Sequence, residues 1–153
     1  MKKNIVEKKI MWGDLDSLGI VFYPRYYEWI DASGHLFFES IGLTIGDLWK
    51  ERHLLFGLTE TSCRYFRPGR YHQKIRIVTC IEEMGAKTLS LRHSIEEAGG
   101  GERLLAEGLE KRVCIDVSDI ERFRAVEIPK DIREKLELAW KEAPLRGPSS
   151  TPA

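Results

Sequence analysis

The sequence predicts an α+β fold in which one long helix is covered by a curved antiparallel sheet of five strands. Two observations support this prediction. The helical segment at residues 24–41 is apolar around much of its circumference, so most of its sides need covering. One strand-like segment precedes it, and four more follow it with turn signals between them. A sheet that wraps the helix buries both elements.

The first strand is predicted over residues 5–12, where apolar and charged residues roughly alternate. The long helix begins at Pro24, because a proline at the first helical position loses no hydrogen bond, and it stops at Gly42, which tolerates a left-handed helix end. Free N–H groups and the helix dipole stabilise negative charge around Tyr23. This segment therefore suits a developing oxyanion.

Residues 44–53 are expected to form a short polar helix or loop. The four later strands are predicted over residues 55–66, 71–83, 87–96 and 104–117. They are separated by Pro68-Gly69, Met84-Gly85 and Gly99-Gly100-Gly101. The simplest topology for such turns is a meander, in which consecutive strands pair.

A short amphipathic helix is predicted at residues 131–143, directly after Pro129 and Lys130. Residues 144–153 have a composition that cannot support a packed core, which predicts a disordered tail. The 153 residues, 42% of them hydrophobic, fit one domain over residues 1–143.

The charge balance argues against a nucleic-acid partner, since Lys+Arg and Asp+Glu both number 24. No apolar run approaches a membrane span and no signal peptide begins the chain, so a cytoplasmic protein without a membrane partner is expected. Cys63, Cys80 and Cys114 are odd in number and widely spaced, which favours buried reduced thiols. Histidines lack metal-ligand spacing, so no metal is predicted.

Residues 10–43 resemble the hotdog-fold acyl-CoA thioesterases, most closely the 4-hydroxybenzoyl-CoA thioesterase branch. The resemblance rests on GDLDSLGIVFYPRYYEWIDA and continues more weakly through residues 58–63, 92–94 and 123–129. It implies the hotdog fold, in which a five-stranded antiparallel sheet wraps one helix. It also implies a homodimer with the active site at its interface, and pairing of dimers into a homotetramer. An exposed sheet edge independently favours dimerisation through a continuous sheet.

The resemblance implies that Asp16 is the catalytic carboxylate and that the backbone N–H of Tyr23 polarises the thioester carbonyl. Thioester hydrolysis needs such a carboxylate and such a donor. Gly19 would let the intervening loop approach the substrate closely. From the residues alone, a turn or capping aspartate is the better interpretation of Asp16, and Asp14 is its rival within the same loop.

The resemblance also places Asp31 near the distal end of an aromatic acyl group. The aromatic residues of the helix make Trp29 a candidate for lining an aryl pocket, although aromatics at this spacing belong more often to the core. The resemblance puts Thr61 and Ser62 on a strand beside the acyl group. Each has a structural alternative: Asp31 pairs with Arg25 or faces solvent, Trp29 belongs to the core, and the two hydroxyl residues serve strand pairing.

Coenzyme A carries three phosphates, so its binding surface should present basic side chains. The resembled branch has an Arg-Arg-Lys run before its fourth strand, of which this chain keeps Lys87. Arg64, Arg67 and Arg70 are candidates for the missing charge, although a solvated polar rim is the more common role for any one of them. Coenzyme A would be part of the substrate, and no separate cofactor is predicted.

Together these features predict a thioesterase that hydrolyses an aromatic acyl-CoA to the free acid and CoA, with Asp16 as nucleophile or general base. The alternatives are a short- or medium-chain aliphatic acyl-CoA, an acyl-carrier-protein thioester, or a non-catalytic module that binds acyl thioesters. A hydratase is disfavoured because no histidine accompanies the Asp16 loop.

Overall fold

The computed structural model describes residues 1–99 and 103–141. The strands are β1 Asn4–Lys9, β2 Leu54–Tyr65, β3 Lys74–Met84, β4 Thr88–Glu97, β5 Leu104–Asp116 and β6 Arg124–Ala125. The α-helices are α1 Pro24–Ser40, α2 Ile45–Asp47 and α3 Lys130–Lys141, joined by a 3₁₀ turn at Trp12–Asp14 and a π-helical turn at Leu48–Arg52. The predicted tail at 144–153 and the last two residues of the predicted final helix lie outside the described residues.

The sheet is antiparallel with strand order β1-β3-β4-β5-β2, and the two-residue β6 adds to β5. The predicted α+β fold of one long helix and five long strands is confirmed. The predicted meander was correct for β3, β4 and β5 but wrong for β2, which pairs with β5 instead of β3. Turn residues mark where the chain changes direction, whereas strand pairing depends on how the whole sheet closes over the helix.

The segment at Pro68-Gly69 is consequently a crossover between distant strands. Gly69 has no room for a side chain, because a Cβ there would lie 2.8 Å from Val21, 2.9 Å from Ile10 and 2.9 Å from the Tyr26 hydroxyl. Its carbonyl accepts a hydrogen bond from Val21 N at 2.9 Å. The crossover is thereby fastened against the loop that precedes α1.

α1 starts at Pro24 as predicted and ends at Ser40, one residue before the predicted end. Gly42 follows with a φ of +79°, the left-handed geometry that its lack of a Cβ permits. The side of α1 that faces the sheet is buried through Tyr26, Trp29, Ile30, Ser33, Gly34, Phe37 and Phe38. The opposite side exposes a stripe that contains Glu28, Asp31, Ala32, Leu36 and Glu39. The helix is therefore covered on fewer sides than its apolar composition predicted.

Two apolar clusters fill the space between α1 and the sheet. One contains Phe37, Phe38, Phe56, Ile81, Leu89, Leu91, Ile132 and Leu136, and α3 closes it. The other contains Ile10, Tyr26, Trp29, Ile30, Ile75, Ile77 and Ile95. Buried polar side chains from β3, β4 and β5 also face this interior, at Thr79, His93, Glu110 and Arg112.

β2 is an outer strand, with β5 on one side and no strand of the described chain on the other. Its second half is mostly exposed from Leu58 to Tyr65, and its register shifts between Leu58 and Glu60. Within the described residues, no helix is both long enough and apolar enough to cross a membrane.

Candidate active site

The loop before α1 holds Asp16 through its own backbone. Asp16 N donates a hydrogen bond to Ile20 O at 2.8 Å, and Gly19 N donates one to Asp16 O at 3.0 Å. One carboxylate oxygen, Oδ1, accepts from Leu18 N at 2.8 Å. The other oxygen receives no hydrogen bond from the described residues. Gly19 closes the turn with a φ of +74°, and a Cβ there would meet nothing within 4 Å, so the requirement for glycine is conformational.

Asp14 has a different environment, although it lies two residues away. Its Oδ2 accepts from Met11 N at 2.8 Å, and its Oδ1 lies 3.6 Å from Arg25 Nε. Its carbonyl accepts from Phe22 N at 2.8 Å. Asp14 therefore ties the two ends of the loop to the start of the helix, whereas Asp16 lies at the turn between them.

The first turn of α1 leaves one backbone donor unused. Phe22 O accepts from Arg25 N at 2.9 Å, and Tyr23 O accepts from Tyr26 N at 3.1 Å. Pro24 has no N–H. The N–H of Tyr23 finds no partner among the described residues, and it stands at the positive end of a 17-residue helix.

Asp16 and Tyr23 line one groove with a volume of about 430 Å³. The remaining walls are formed by Ile20, Val21, Tyr26, Tyr65, Phe66, Arg67, Pro68 and Gly69. Burial raises the pKa of Tyr26 above its ordinary value. The groove thus brings together a carboxylate, a free backbone donor, a guanidinium and several aromatic rings.

Asp31 lies outside this groove, on the exposed stripe of α1. Its Oδ1 accepts from Arg112 Nη2 at 2.8 Å and lies 3.5 Å from His35 Nε2, while 52% of its side chain remains exposed. The pairing with Arg25 that local spacing suggested is not formed, because Arg25 instead contacts Glu28 at 3.0 Å.

Trp29 is a core residue in this chain. It is 7% exposed and packs edge-on against Tyr26 with ring centroids 5.4 Å apart. The ammonium of Lys8 lies 5.3 Å from its ring centroid. Trp29 does not line the Asp16 groove.

Thr61 and Ser62 lie on the exposed half of β2, and neither lines the groove in the single chain. Of the predicted basic residues, Arg67 lines the groove, and Arg70 pairs with Ile20 of the loop that holds Asp16 by a β-bridge. Arg64 is exposed on β2.

Lys87 lies in the turn between β3 and β4, whereas the groove borders the other end of β3. Because an 11-residue strand is about 35 Å long at 3.2–3.4 Å per residue, one chain does not bring Lys87 to the groove.

Sequence reasoning missed a buried charged cluster. Glu110 and Arg112 are 1% and 3% exposed, and Glu110 contacts the fully buried His93. The signal available in the sequence is the i, i+2 spacing of Glu110 and Arg112, which puts both on one face of a strand. That spacing does not tell which face is buried.

The three cysteines form no site of their own. Burial raises the pKa of Cys114 to about 11, and burial also raises the pKa of Cys63. The part of the chain that the structure describes contains no group of three or more potential metal ligands.

The fold and the groove define a class of protein, a helix-wrapping hotdog domain with an acid at the helix N-terminus. The family model of the thioesterase-like superfamily matches residues 10–136. The 4-hydroxybenzoyl-CoA thioesterase of Pseudomonas sp. strain CBS-3 is 33% identical over 136 residues, which cover 84% of this chain and 94% of that protein. The chain therefore belongs to the thioesterase-like superfamily and is a thioesterase.

Solved structures agree with this assignment. A mutant 4-hydroxybenzoyl-CoA thioesterase in complex with 4-hydroxybenzoyl-CoA matches with a TM-score of 0.82 and 29% identity, covering 89% of this chain and 99% of that one. A gentisyl-coenzyme A thioesterase matches with a TM-score of 0.72 and 30% identity, covering 88% and 99%. The hotdog fold predicted from the sequence is confirmed.

Proposed function

We propose that this thioesterase hydrolyses an aromatic acyl-CoA, of the benzoyl or hydroxybenzoyl type, to the free acid and CoA. The observation that carries the proposal is the groove shared by the Asp16 carboxylate and the unpaired N–H of Tyr23. A carboxylate and an oxyanion donor are the two groups that hydrolysis of a thioester needs.

In the proposed reaction, the Tyr23 N–H donates to the thioester oxygen as it becomes negative. Asp16 either attacks the carbonyl carbon or takes a proton from the water that attacks it. The carbon–sulfur bond then breaks, the sulfur leaves as a thiolate that takes up a proton, and water supplies the second oxygen of the acid. The oxygen of Asp16 that accepts no hydrogen bond from the described chain is the one available for this step.

The geometry of α1 supports an aromatic acyl group. Tyr23, Tyr27 and Asp31 recur at every fourth position, so they form a row along the helix. Eight residues at 1.5 Å each separate Tyr23 from Asp31 by about 12 Å along the axis. The two oxygens of a para-hydroxybenzoyl group lie about 6 Å apart by ordinary bond lengths. Adding a hydrogen bond of about 2.9 Å at each end gives about 12 Å, which matches the separation of Tyr23 and Asp31 along the helix axis.

The names of the relatives agree with this choice, because both 4-hydroxybenzoyl and gentisyl groups are hydroxylated aromatic acids. In the proposed complex Asp31 accepts the ring hydroxyl, and Gly19 lets the loop approach the thioester. Trp29 supports this wall from the core, next to Tyr26.

The proposed binding of coenzyme A uses Arg67 at the groove, with Arg64 and Arg70 nearby. Lys87 lies too far from the groove of its own chain, so it would serve the site of another copy. We further propose a homodimer that pairs through β2, with Thr61 and Ser62 beside the partner's acyl group, and a homotetramer of two such dimers. The open edge of β2 supports this arrangement.

The test is thiol release from a matched panel of benzoyl-, 4-hydroxybenzoyl- and aliphatic acyl-CoAs. Asp16→Asn is expected to lower kcat about 100-fold or more, because a positioned acid–base group contributes 10²–10⁴-fold. Binding of the intact thioester, measured by calorimetry, should persist in this variant. The matched control is Glu28→Gln, which alters an exposed helical carboxylate in a surface ion pair and should leave the rate near wild type.

A rate near wild type in Asp16→Asn would contradict the catalytic assignment. Faster hydrolysis of the aliphatic thioesters would contradict the proposed aromatic substrate and favour an aliphatic acyl-CoA. If no CoA thioester is cleaved, the substrate is a carrier-protein thioester or the protein only binds acyl thioesters.

A further inference from the structure

One corner of the molecule carries exposed aromatic and basic side chains that take no part in the proposed hydrolysis. Two neighbouring segments form this corner surface, residues 9–12 at the end of β1 and residues 70–74 at the start of β3. We infer that the corner surface binds the nucleotide end of coenzyme A, with the adenine on its aromatic rings and phosphates on its basic side chains. This inference rests on the proposed function and adds a subsite to it.

The two segments are fastened to each other by their backbones. Ile10 N donates to Gln73 O at 2.9 Å, and His72 N donates to Ile10 O at 3.0 Å. Lys9 and Lys74 stand directly opposite each other where β1 pairs with β3. The side chains of both segments are therefore presented together at one place on the molecule.

Trp12 and Tyr71 form an exposed aromatic pair on the corner surface. Their rings meet edge to face with centroids 5.5 Å apart, yet Trp12 is 73% and Tyr71 44% exposed. The Tyr71 ring also contacts His72, whose φ of +68° is unusual for a residue with a side chain. Backbone strain of this kind is concentrated at functional sites. A planar base such as adenine stacks on exposed aromatic rings and would cover this area.

The corner surface also carries positive charge that the described residues do not neutralise. Lys9 and Lys74 point to the same face of the sheet, and like charges in this position destabilise strand pairing. Neither lysine forms an ion pair within the described chain, nor does Arg70. Glu7, the acid of β1, stands opposite Arg76. A phosphate between the two ammonium groups would remove their repulsion.

There is room for a phosphate beside these lysines. A groove of about 250 Å³ has Lys8, Lys9 and Lys74 among its lining residues, together with Glu7. Three ammonium groups against one carboxylate leave this groove with an excess of positive charge, which favours an anion.

The corner surface adjoins the groove that contains Asp16. Gly69, the residue before Arg70, accepts a hydrogen bond from Val21 N, and both Gly69 and Val21 line that groove. Trp12 precedes Asp16 by four positions, so their Cα atoms are at most roughly 14 Å apart. The pantetheine arm of coenzyme A has about 13 bonds between sulfur and the first phosphorus and extends to roughly 16 Å. A thioester held at Asp16 can therefore place its nucleotide on the corner surface.

The test compares CoA and pantetheine thioesters of the acyl group that wild type hydrolyses fastest, because pantetheine lacks the nucleotide. In wild type, KM should be about 10-fold or more lower for the CoA thioester. Trp12→Ala should raise this KM about 10-fold, and kcat and the KM of the pantetheine thioester should stay near wild type. Calorimetry with coenzyme A alone should show the same loss of affinity, and it requires no hydrolysis.

Lys74→Gln tests the phosphate end. Because it relieves the repulsion with Lys9, the variant should be at least as stable as wild type in urea unfolding. It should nevertheless bind coenzyme A about 3-fold or more weakly, with a smaller difference at high salt. A loss of affinity without a loss of stability distinguishes a ligand site from a structural contact.

The controls are Trp49→Ala and Lys50→Gln, which alter an exposed ring and an exposed ammonium of the π-helical turn. That turn packs near the C-terminal end of α1, away from the corner surface. Both controls should keep the wild-type KM for the CoA thioester. Thermal unfolding checks each variant, and Tyr71→Ala takes the place of Trp12→Ala if the latter does not fold.

Wild-type affinity for coenzyme A in Trp12→Ala, or an equal rise of KM for both thioesters, would overturn the inference. A change of mass in light scattering would overturn it too, since the corner surface would then be an interface between copies. Binding of ADP that Trp12→Ala abolishes, with an unchanged KM for the CoA thioester, would indicate a free nucleotide instead. The proposed function fails differently, if wild type cleaves no CoA thioester or Asp16→Asn stays fully active.

Discussion

Two aspartates of one loop, Asp14 and Asp16, differ in their hydrogen bonds, and this difference is why we propose the catalytic role for Asp16 alone. Both oxygens of Asp14 face donors, from Met11 and Arg25, so its carboxylate is engaged in holding the loop. One carboxylate oxygen of Asp16 accepts a hydrogen bond from Leu18 N, and the other accepts none from the described residues. A carboxylate that still has an oxygen free to accept a hydrogen bond is the better candidate for the catalytic group.

A second residue-scale feature gives a pH prediction. Arg52 binds Asp131 with both nitrogens, at 2.6 and 3.0 Å, and this hydrogen bond lowers the pKa of Asp131 from 3.8 to about 2. Because the folded pKa lies below the unfolded one, the pair stabilises the fold fully above about pH 4 and loses this effect as the pH falls towards 2. In urea unfolding, Asp131→Asn should be less stable than wild type at pH 7 and 5, with a smaller difference at pH 3.

The control for this prediction is Glu134→Gln, on the exposed side of the same helix, which forms no ion pair with the described residues. It should match wild type at all three pH values. A difference for Asp131→Asn that stays constant or grows at pH 3 would contradict the assigned role of the ion pair.

At the scale of elements, α1 and β5 touch so closely that glycine is required where they cross. A Cβ on Gly108 would lie 2.3 Å from Ile30 Cδ1, closer than side-chain atoms approach. Gly108→Ala should therefore lower the free energy of unfolding by about 1–3 kcal/mol, as overpacked cores do. Urea unfolding measures this loss.

A double variant tests whether the clash with Ile30 causes this loss. Ile30→Val removes the Cδ1 atom that would clash, so the double variant should lose less than the sum of the two single losses. Gly46→Ala is the control, because a Cβ there meets nothing within 4 Å, and its stability should change by less than about 1 kcal/mol. Additive losses in the double variant would show that the clash is elsewhere.

At the scale of the whole molecule, two surfaces are left incomplete in the single chain. Within residues 1–99 and 103–141, β2 pairs with a strand on one side only, and one stripe of α1 is uncovered. Open strand edges favour pairing with another strand, so the proposed homodimer would close the first surface.

This proposal predicts the effect of a charge on β2. Light scattering should give the mass of a dimer or tetramer for wild type, and Thr61→Lys should shift it towards the monomer, because two symmetric lysines would repel across the paired strands. Hydrolysis should fall with the loss of the dimer, since the proposed site includes partner residues. Leu138→Lys, on the exposed side of α3, is the control and should keep the wild-type mass. A monomeric wild type that hydrolyses acyl-CoA would contradict the proposal.

Features that depend on neighbours along the chain could be predicted from the amino-acid sequence. Pro24 and Gly42 bound the helix because proline and glycine act on their own backbone. The helix boundary put free N–H groups at Tyr23, seven positions after the loop aspartate Asp16, but it was the family resemblance that implied a shared site for the two. Strand positions followed from alternation and turn residues, with errors of a few residues at β1 and β3.

Contacts between distant segments became known from the folded chain. The pairing of β2 with β5 corrected the meander, and the contact between Asp31 and Arg112 joins residues 81 positions apart. The buried cluster of His93 and Glu110 depends on the register of β4 against β5, in which a shift of one residue would turn each side chain to the other face. Such contacts arise from the closure of the sheet over α1, and no local pattern in the sequence records them.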